Sequence, residues 1–398
     1  MKTFLIIGGG LVGLATAYKL GLRFPDARIT VLEKESEVCK HQSGNNSGVL
    51  HTGLYYAPGS YKARLCVAGQ REMIEFCQAN NVPHDVCGKL VVATNENELS
   101  RLKKLLERGM QNGLQGLQRL DGDEIQEFEP HARGVAALRV PQTGIADYPR
   151  VGAVLVEKVV SQNSRVVTNA KVIKCSVFNG QWTVQTTAGD FQADYMITCA
   201  GLYSDRVSEM FGEQRAVRVL PFRGEYFRLK KSREHLVRNL IYPVADPRFP
   251  FLGVHFTRMM RGGVECGPNA VLAFAREGYR KTQISPKDLF DAFTFSGFWN
   301  FMGKHWRIAN SELRRSVSKK LFAQSLQKLV PEIQADDLEP GGAGVRAQAM
   351  YPNGNLVDDF LFVERANALH VLNAPSPAAT ASLAIGSAVV EKVAEKFS

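Results

Sequence analysis

The sequence predicts an α/β protein of two interleaved domains, one built on a βαβ unit and the other on mixed β-sheet with helices. Three observations lead there. The chain opens with an apolar run, a glycine cluster and a second apolar run that ends in an acid. Strand-like and helical stretches then alternate through its middle, and a late glycine-rich segment leads into an apolar helix. Its 398 residues, 45% apolar and 22% charged, suit a globular chain with more than one core.

The first unit reads as strand Thr3–Ile7, a turn, a helix from Leu11 and strand Arg28–Leu32. Gly8, Gly10 and Gly13 fit G-x-G-x-x-G, and Glu33 lies 20 residues beyond Gly13. Lys2 and Ala15-Thr16-Ala17 imitate a secretory signal, but a signal has no reason to place an acid at that spacing. The unit is therefore read as Rossmann-like. Gly8 permits a tight strand exit, Gly10 lets the backbone reach a pyrophosphate, and Gly13 lets helix pack on strand. The helix N-terminus offers N–H donors to phosphate, and Glu33 suits ribose hydroxyls while repelling a 2′-phosphate. The motif by itself does not separate NAD from FAD.

Residues 41–48 form a polar, glycine-rich stretch leading into the block from Val49 to Tyr56, which suits packing against a planar ligand. A helix over Ser60–Asn80, a strand at Lys89–Ala93 and a charged, solvent-facing helix over Glu96–Asn112 follow. Residues 144–149 punctuate the chain before a helix at Val151–Ser161. Strands are expected at Arg165–Cys175, Gln181–Thr187 and Phe191–Cys199, then long strands from Val217 to about Leu272. Lys287–Lys328 reads as aromatic and basic helix. The nucleotide unit thus pauses and resumes, which places residues 1–85, 149–215 and 340–398 in it and 86–148 and 216–339 in a substrate-binding domain. Such interleaving suits a long cofactor gripped from several segments better than a contiguous NAD domain.

Lys and Arg outnumber Asp and Glu by 49 to 39. Nucleic acid, an anionic membrane surface or an acidic substrate would each match that excess. The basic residues are scattered, without a basic arm or a nucleic-acid motif, so no nucleic-acid partner is expected. Seven cysteines without a C-x-x-C pair read as reduced thiols, and no metal is expected. No apolar run reaches the ~18 residues of a membrane span. A first strand so close to Met1 points to a bacterial cytoplasmic location, free or peripheral on the cytoplasmic face of the inner membrane. A trimmed organellar form would be mitochondrial.

Several longer strings resemble the L-2-hydroxyglutarate oxidase and dehydrogenase family, within the D-amino-acid oxidase superfamily of FAD oxidoreductases. They are Asn46–Tyr56, Pro221–Phe227, His255–Arg258, Gly267–Phe274, Gly344–Ala349 and Asn373–Thr380. The likeness spans residues 3 to 390 and implies an FAD-binding domain beside a mixed-sheet substrate domain. It implies that Gly8, Gly10, Gly13, Glu33 and Lys34 hold the ADP half, and that Ser43, Asn46, Ser47 and Gly48 lie along the flavin. Val172 would offer backbone to adenine, and Gly201 would pass near the pyrophosphate. Pro375–Thr380, with Ser376 and Thr380, would open the last helix with its N–H groups toward the flavin C2 carbonyl.

The implied reaction takes L-2-hydroxyglutarate to 2-oxoglutarate, with electrons leaving to a quinone or oxygen. Histidine suits the base because its reference pKa lies near neutrality. His51 and His255 are the candidates, with His51 favoured because it follows the loop at the flavin. Arg346 is the first choice for the C1 carboxylate, since a guanidinium can donate two parallel hydrogen bonds. Arg258, Arg223, Tyr56 and Lys89 are open choices for the far carboxylate, and Arg223 could instead buttress Gly224. The aromatic-basic stretch Phe290–Arg315 either lies on an anionic bilayer or packs its aromatics inward. Rival readings are an amino-acid or glycerol-3-phosphate oxidase of the same superfamily and a flavin-bearing tRNA-binding or modification protein.

Overall fold

The structure, a computed structural model, describes residues 2–246 and 253–397. Five strands are parallel in a six-stranded sheet ordered Leu361–Glu364, Ala368–Asn373, Tyr195–Thr198, Thr3–Ile7, Arg28–Leu32, Arg165–Val167; the first of these is antiparallel. Both faces are covered, which is why its central strands are almost uninterrupted runs of apolar residues. Helices Leu11–Arg23, Tyr148–Ser161 and Ser382–Ala394 share a core with one face through Phe4, Ile6, Leu14, Leu155 and Ile385. An antiparallel three-stranded sheet, Val172–Phe178, Gln181–Thr186 and Gly189–Ala193, packs Trp182 and Val184 against Leu5, Ile7 and Met196 on the other.

A nine-stranded sheet forms the second layer. Its order runs Val271–Leu272, Arg218–Leu229, Val264–Gly267, His255–Arg258, Leu240–Pro243, Lys89–Ala93, Ala136–Val140, Gln118–Asp121, and Leu338–Met350 also pairs with Arg218–Leu229. Helix Lys319–Gln327 covers one face through Phe322 and Leu326. Helix Leu99–Gln111 covers the other through Leu102 and Leu105. Asp205 and Arg276, 1% and 2% exposed, anchor an ion network in which Asp291 also accepts from Arg206, Arg215 and Arg276. It ties helix Ser204–Glu209 to helix Pro286–Phe293. Charges buried this deeply persist only when each has several partners.

The elements depart from sequence expectation where a side chain interrupts a run. The expected strand Arg165–Cys175 divides at Asn169 (φ 55°), whose N–H donates to the Glu35 carbonyl, so its halves join different sheets. Phe191–Cys199 divides at Asp194, whose carboxylate accepts from the N–H and hydroxyl of Thr3. Residues 340–350 lie in the nine-stranded sheet, because the ladder with 218–229 satisfies their backbone (Leu220 opposite Gln348, Phe222 opposite Arg346).

Glu96–Asn112 opens with a 3₁₀ turn at Glu96–Glu98 before the helix proper. Region 287–328 is three helices, Pro286–Phe293, Ser296–Val317 and Lys319–Gln327, the second kinked at His305. Its aromatics divide: Phe295, Phe298 and Phe301 are buried, whereas Phe290, Trp299 and Trp306 are exposed. Part of the long-strand region, residues 247–252, lies outside the described residues.

The first turn is the tightest point. A Cβ at Gly13 would lie 2.0 Å from the Gly8 carbonyl oxygen, and one at Gly8, where φ is +115°, 2.3 Å from the Cys199 oxygen. Both obstacles are backbone and cannot swing aside. Gly13→Ala should therefore destabilise the fold by about 3 kcal/mol, read as a lowered urea midpoint. An unchanged midpoint would show that the helix can retreat from the strand.

Candidate active site

Between the two large sheets runs a single cavity of about 1180 Å³, larger than the ~300–1,000 Å³ of an ordinary ligand pocket. One end is the βαβ turn. Gly8, Gly10, Leu11 and Val12 line it, so the opening of helix Leu11–Arg23 points its N–H groups and positive dipole end toward the cavity. Ser43 Oγ accepts from the Leu11 N–H at 2.9 Å. Glu33, nearly buried, accepts from the Gly9 and Glu35 N–H groups at 2.9 Å each. A carboxylate has about four acceptor sites, so Glu33 can shape the turn and still accept from a ribose.

Lys34 closes this end. Its ammonium lies 2.5 Å from Glu35 and 2.6 Å from Glu277, with His41 Nε2 at 3.0 Å. Burial opposes its charge, but hydrogen bonds to Glu277 and Glu35 outweigh that and raise its pKa. Glu35, His41 and Glu277 could enclose a cation, and the Lys34 ammonium already sits among them.

Ser47, Val172, Gly201 and Ser376 line the wall, Val172 two residues from Ala170, whose N–H donates to the Glu33 carbonyl. Asn46 also lines it, yet its side chain is spent on the loop itself. Its amide donates to the Gln42 and Ser43 carbonyls, and its oxygen accepts from the Gly48 N–H at 2.9 Å. Three expected contacts are absent from the wall. Gly13 and Gly48 act through backbone geometry, Gly48 with φ +70° and little room beside the Ala146 carbonyl. Thr380 is fully buried, donating to Val49 O and accepting from the His51 N–H, both at 3.1 Å, with the Tyr148 hydroxyl at 2.9 Å. Nor does segment 375–380 open the last helix: it forms tight turns, and the helix begins at Ser382.

The far end gathers His51, His255, Arg346 and Tyr56, with Tyr226 and Tyr242, which sequence reasoning missed. Tyr226 sits inside a family-like string and could have been found; Tyr242 carries no local signal. His255 Nδ1 is 2.8 Å from the Gly253 carbonyl. That nitrogen must carry the proton, which leaves Nε2 as a bare acceptor. Its ring stacks on Tyr242 at 3.8 Å. Burial pushes the pKa of both His255 and His51 down to about 3, with the Lys89 charge adding to the effect, so both are neutral at ordinary pH. Arg346 Nη1 donates to the Asn269 carbonyl at 3.3 Å beside Gly224, where any Cβ would crowd it.

Of the four choices for a second carboxylate clamp, only Tyr56 lines the cavity. Arg258 is paired with Asp85, and Arg223 donates to Glu225 at 2.9 and 3.1 Å. Glu225 in turn accepts from Asn269, the residue that receives Arg346, so Arg223 is linked to Arg346 through that pair. Lys89 lies behind the wall, 4.8 and 5.0 Å from the Tyr55 and Tyr242 rings, its pKa lowered by burial to about 7.

The Thr380 hydroxyl separates a structural role from a ligand contact. Thr380→Val should cost about 2 kcal/mol in urea unfolding by orphaning buried backbone, with the bound-flavin spectrum unchanged. A spectral shift at unaltered stability would place the hydroxyl on the ligand instead.

The wall fits a dinucleotide flavin: a glycine turn that side chains would obstruct, a helix N-terminus, a ribose-competent acid, and a second compartment for the reacting ring. Comparison with known proteins agrees. The family profile "FAD dependent oxidoreductase" (DAO) matches residues 3–392. The chain is 52% identical to the L-2-hydroxyglutarate dehydrogenase of Indibacter alkaliphilus, covering 99% of each. It is 46% identical to the mitochondrial L-2-hydroxyglutarate dehydrogenase of Nematostella vectensis, covering 98% of this chain and 90% of that one. Among solved structures, FAD-bound L-α-glycerophosphate oxidase from Mycoplasma pneumoniae superposes with a TM-score of 0.79 at 22% identity, covering 98% and 95%. Motif, cavity and full-length kinship together make this chain a member of the DAO family of FAD-dependent oxidoreductases, with FAD as its cofactor.

Proposed function

We propose that the chain oxidises L-2-hydroxyglutarate to 2-oxoglutarate. The observation that carries this reading is the meeting of the Arg346 guanidinium with two neutral imidazoles in the cavity's far compartment. Full-length likeness to L-2-hydroxyglutarate dehydrogenases supports the choice of acid. Bound FAD supplies the acceptor for the hydride leaving the substrate Cα.

The protein's own groups do the rest. Arg346 faces the C1 carboxylate, held in place by the Asn269–Glu225–Arg223 brace. Tyr56 faces the far carboxylate, with the Lys89 charge behind the neighbouring tyrosine rings. His255 Nε2 takes the hydroxyl proton, because its tautomer is set by Gly253 and its plane by Tyr242. This reverses the preference for His51, which lines the same compartment. A dianionic substrate brings negative charge beside His255 and so raises its proton affinity at the moment it must act as a base.

His255→Ala should slow anaerobic flavin reduction by ~10²–10⁴-fold while FAD is retained. Arg346→Ala should lower kcat/KM by about 2–4 kcal/mol. A histidine held at a pKa of about 3 loses its acceptor only as pH falls toward that value. The kcat/KM profile should therefore show no acid limb near the histidine reference pKa of ~6.5. A limb there, or normal reduction by His255→Ala, would move the base elsewhere.

Electrons pass on to a quinone at an anionic membrane surface in this reading. Its support is the outer surface of helices Pro286–Phe293 and Ser296–Val317, where Phe290, Trp299 and Trp306 stand exposed near Lys304 and Arg307. Arg315 is not part of that face, being held by Glu312 and Ser311. No helix among the described residues is long and apolar enough to cross a membrane, so contact would be peripheral. Trp299→Glu with Trp306→Glu should abolish co-sedimentation with phosphatidylglycerol vesicles and leave turnover with a soluble dye acceptor intact. Equal sedimentation would remove this face from the account.

A further inference from the structure

We propose that substrate reaches the buried compartment through a cationic vestibule on helix Leu99–Gln111, and that Lys104 there favours doubly charged over singly charged acids. The proposal rests on the diacid reading above. Arg101, Lys104, Leu105 and Arg108 follow an i, i+3, i+4, i+7 spacing and all line the cavity. The helix face expected to look into solvent therefore forms a wall. Arg108 donates to the Tyr55 carbonyl at 2.9 Å, and Asn112 to the Gly53 and Tyr56 carbonyls at 2.9 and 3.0 Å. Arg101 donates to the Ala245 carbonyl at 3.2 Å, and Ala245 is also in the wall. The helix is thus pinned across the compartment that holds Tyr56. Lys62 also lines the cavity, its ammonium 5.6 Å from the Tyr56 ring centroid.

Charge is distributed unevenly along the cavity. The carboxylates in its wall, Glu33, Glu35 and Glu277, all stand at the nucleotide end. Near the vestibule, Glu98 and Asp246 lie 3.6 and 3.9 Å from Arg101, and Asp358 and Asp359 offset Lys62. Arg108 spends its hydrogen bond on an uncharged carbonyl. Lys104 is exposed at the rim, with no ion pair among the described residues. A low-dielectric cleft lined by one sign of charge focuses its field outward, and a dianion feels that potential twice as strongly as a monoanion. Lys104 therefore acts on capture and not on hydride transfer.

The test uses FAD-loaded full chain and compares Lys104→Glu with Lys103→Glu. The latter makes the same change of net charge beside Lys104, at a position outside the cavity wall. Kinetics with L-2-hydroxyglutarate and monoanionic L-2-hydroxybutyrate are measured from about 0.02 to about 0.5 M salt. Lys104→Glu should lower kcat/KM for the diacid on the order of three- to tenfold at low salt, with kcat held. The loss should be smaller for the monoacid and should fade at high salt, and Lys103→Glu should not reproduce it. Equal losses in the two variants, or a loss independent of salt or of substrate charge, would overturn the vestibule while leaving the diacid reading in place. If wild-type enzyme does not oxidise L-2-hydroxyglutarate, that reading falls alone. Glutarate association, followed through the flavin absorbance, then decides the vestibule: slowing by Lys104→Glu only supports it, and equal rates overturn it.

Discussion

The structure depends on backbone lying against backbone at the exit of the first strand. Where residue 13 would begin a side chain, the Gly8 carbonyl is already 2.0 Å away, and beyond Gly8 stands the Cys199 carbonyl. That contact lets helix Leu11–Arg23 start directly over the strand ends, with its N-terminus open to the cavity. Everything that meets the cofactor is arranged from there. Glu33 accepts from the Gly9 amide, Ser43 caps the helix, and the loop around Asn46 folds back on its own carbonyls. The small residues around the turn are required less for flexibility than for the absence of bulk.

A second constraint is the ladder between 218–229 and 338–350. It sets Arg346 opposite Phe222 and brings Arg223 and Glu225 alongside, so a charged side chain enters the cavity from a strand and not from a mobile loop. Arg223, Glu225 and Asn269 brace one another, Glu225 accepting also from Ser316, and Arg346 lines the cavity beside them. Two arginines on facing strands, one ladder rung apart, thus have different work. Arg223 fills its hydrogen-bonding fork on Glu225, whereas Arg346 donates to the Asn269 carbonyl and lines the cavity.

The two ends of the cavity contrast electrically. Carboxylates tied to Lys34, His41 and backbone amides crowd the nucleotide end. At the far end, burial keeps the histidines neutral while Arg346 supplies positive charge. A substrate acid is drawn to the second end. In a dry compartment such a contrast orients a ligand more strongly than the same charges would in water.

Much of this was readable without coordinates. The βαβ unit, with its glycines and Glu33, was legible because its geometry is local: tight turns, helix starts and short-range spacing are written in consecutive residues. Helix Tyr61–Ala79, capped by Ser60, was legible for the same reason. Less was readable of the charged groups. Arg258 and Arg346 look equally available in sequence, and only the fold sets Asp85 against one of them. His51 and His255 differ in sequence by position alone, and it is the Gly253 carbonyl and the Tyr242 ring that orient the second. Helix Leu99–Gln111 reads as solvent-exposed because periodicity reports which face is charged, never what that face looks upon. Sequence by itself determined the nucleotide-binding unit, the family and the kinds of residue at the site. Tertiary structure decided which of those residues are free to act, because a charge is spent or spared by neighbours that arrive from distant parts of the chain.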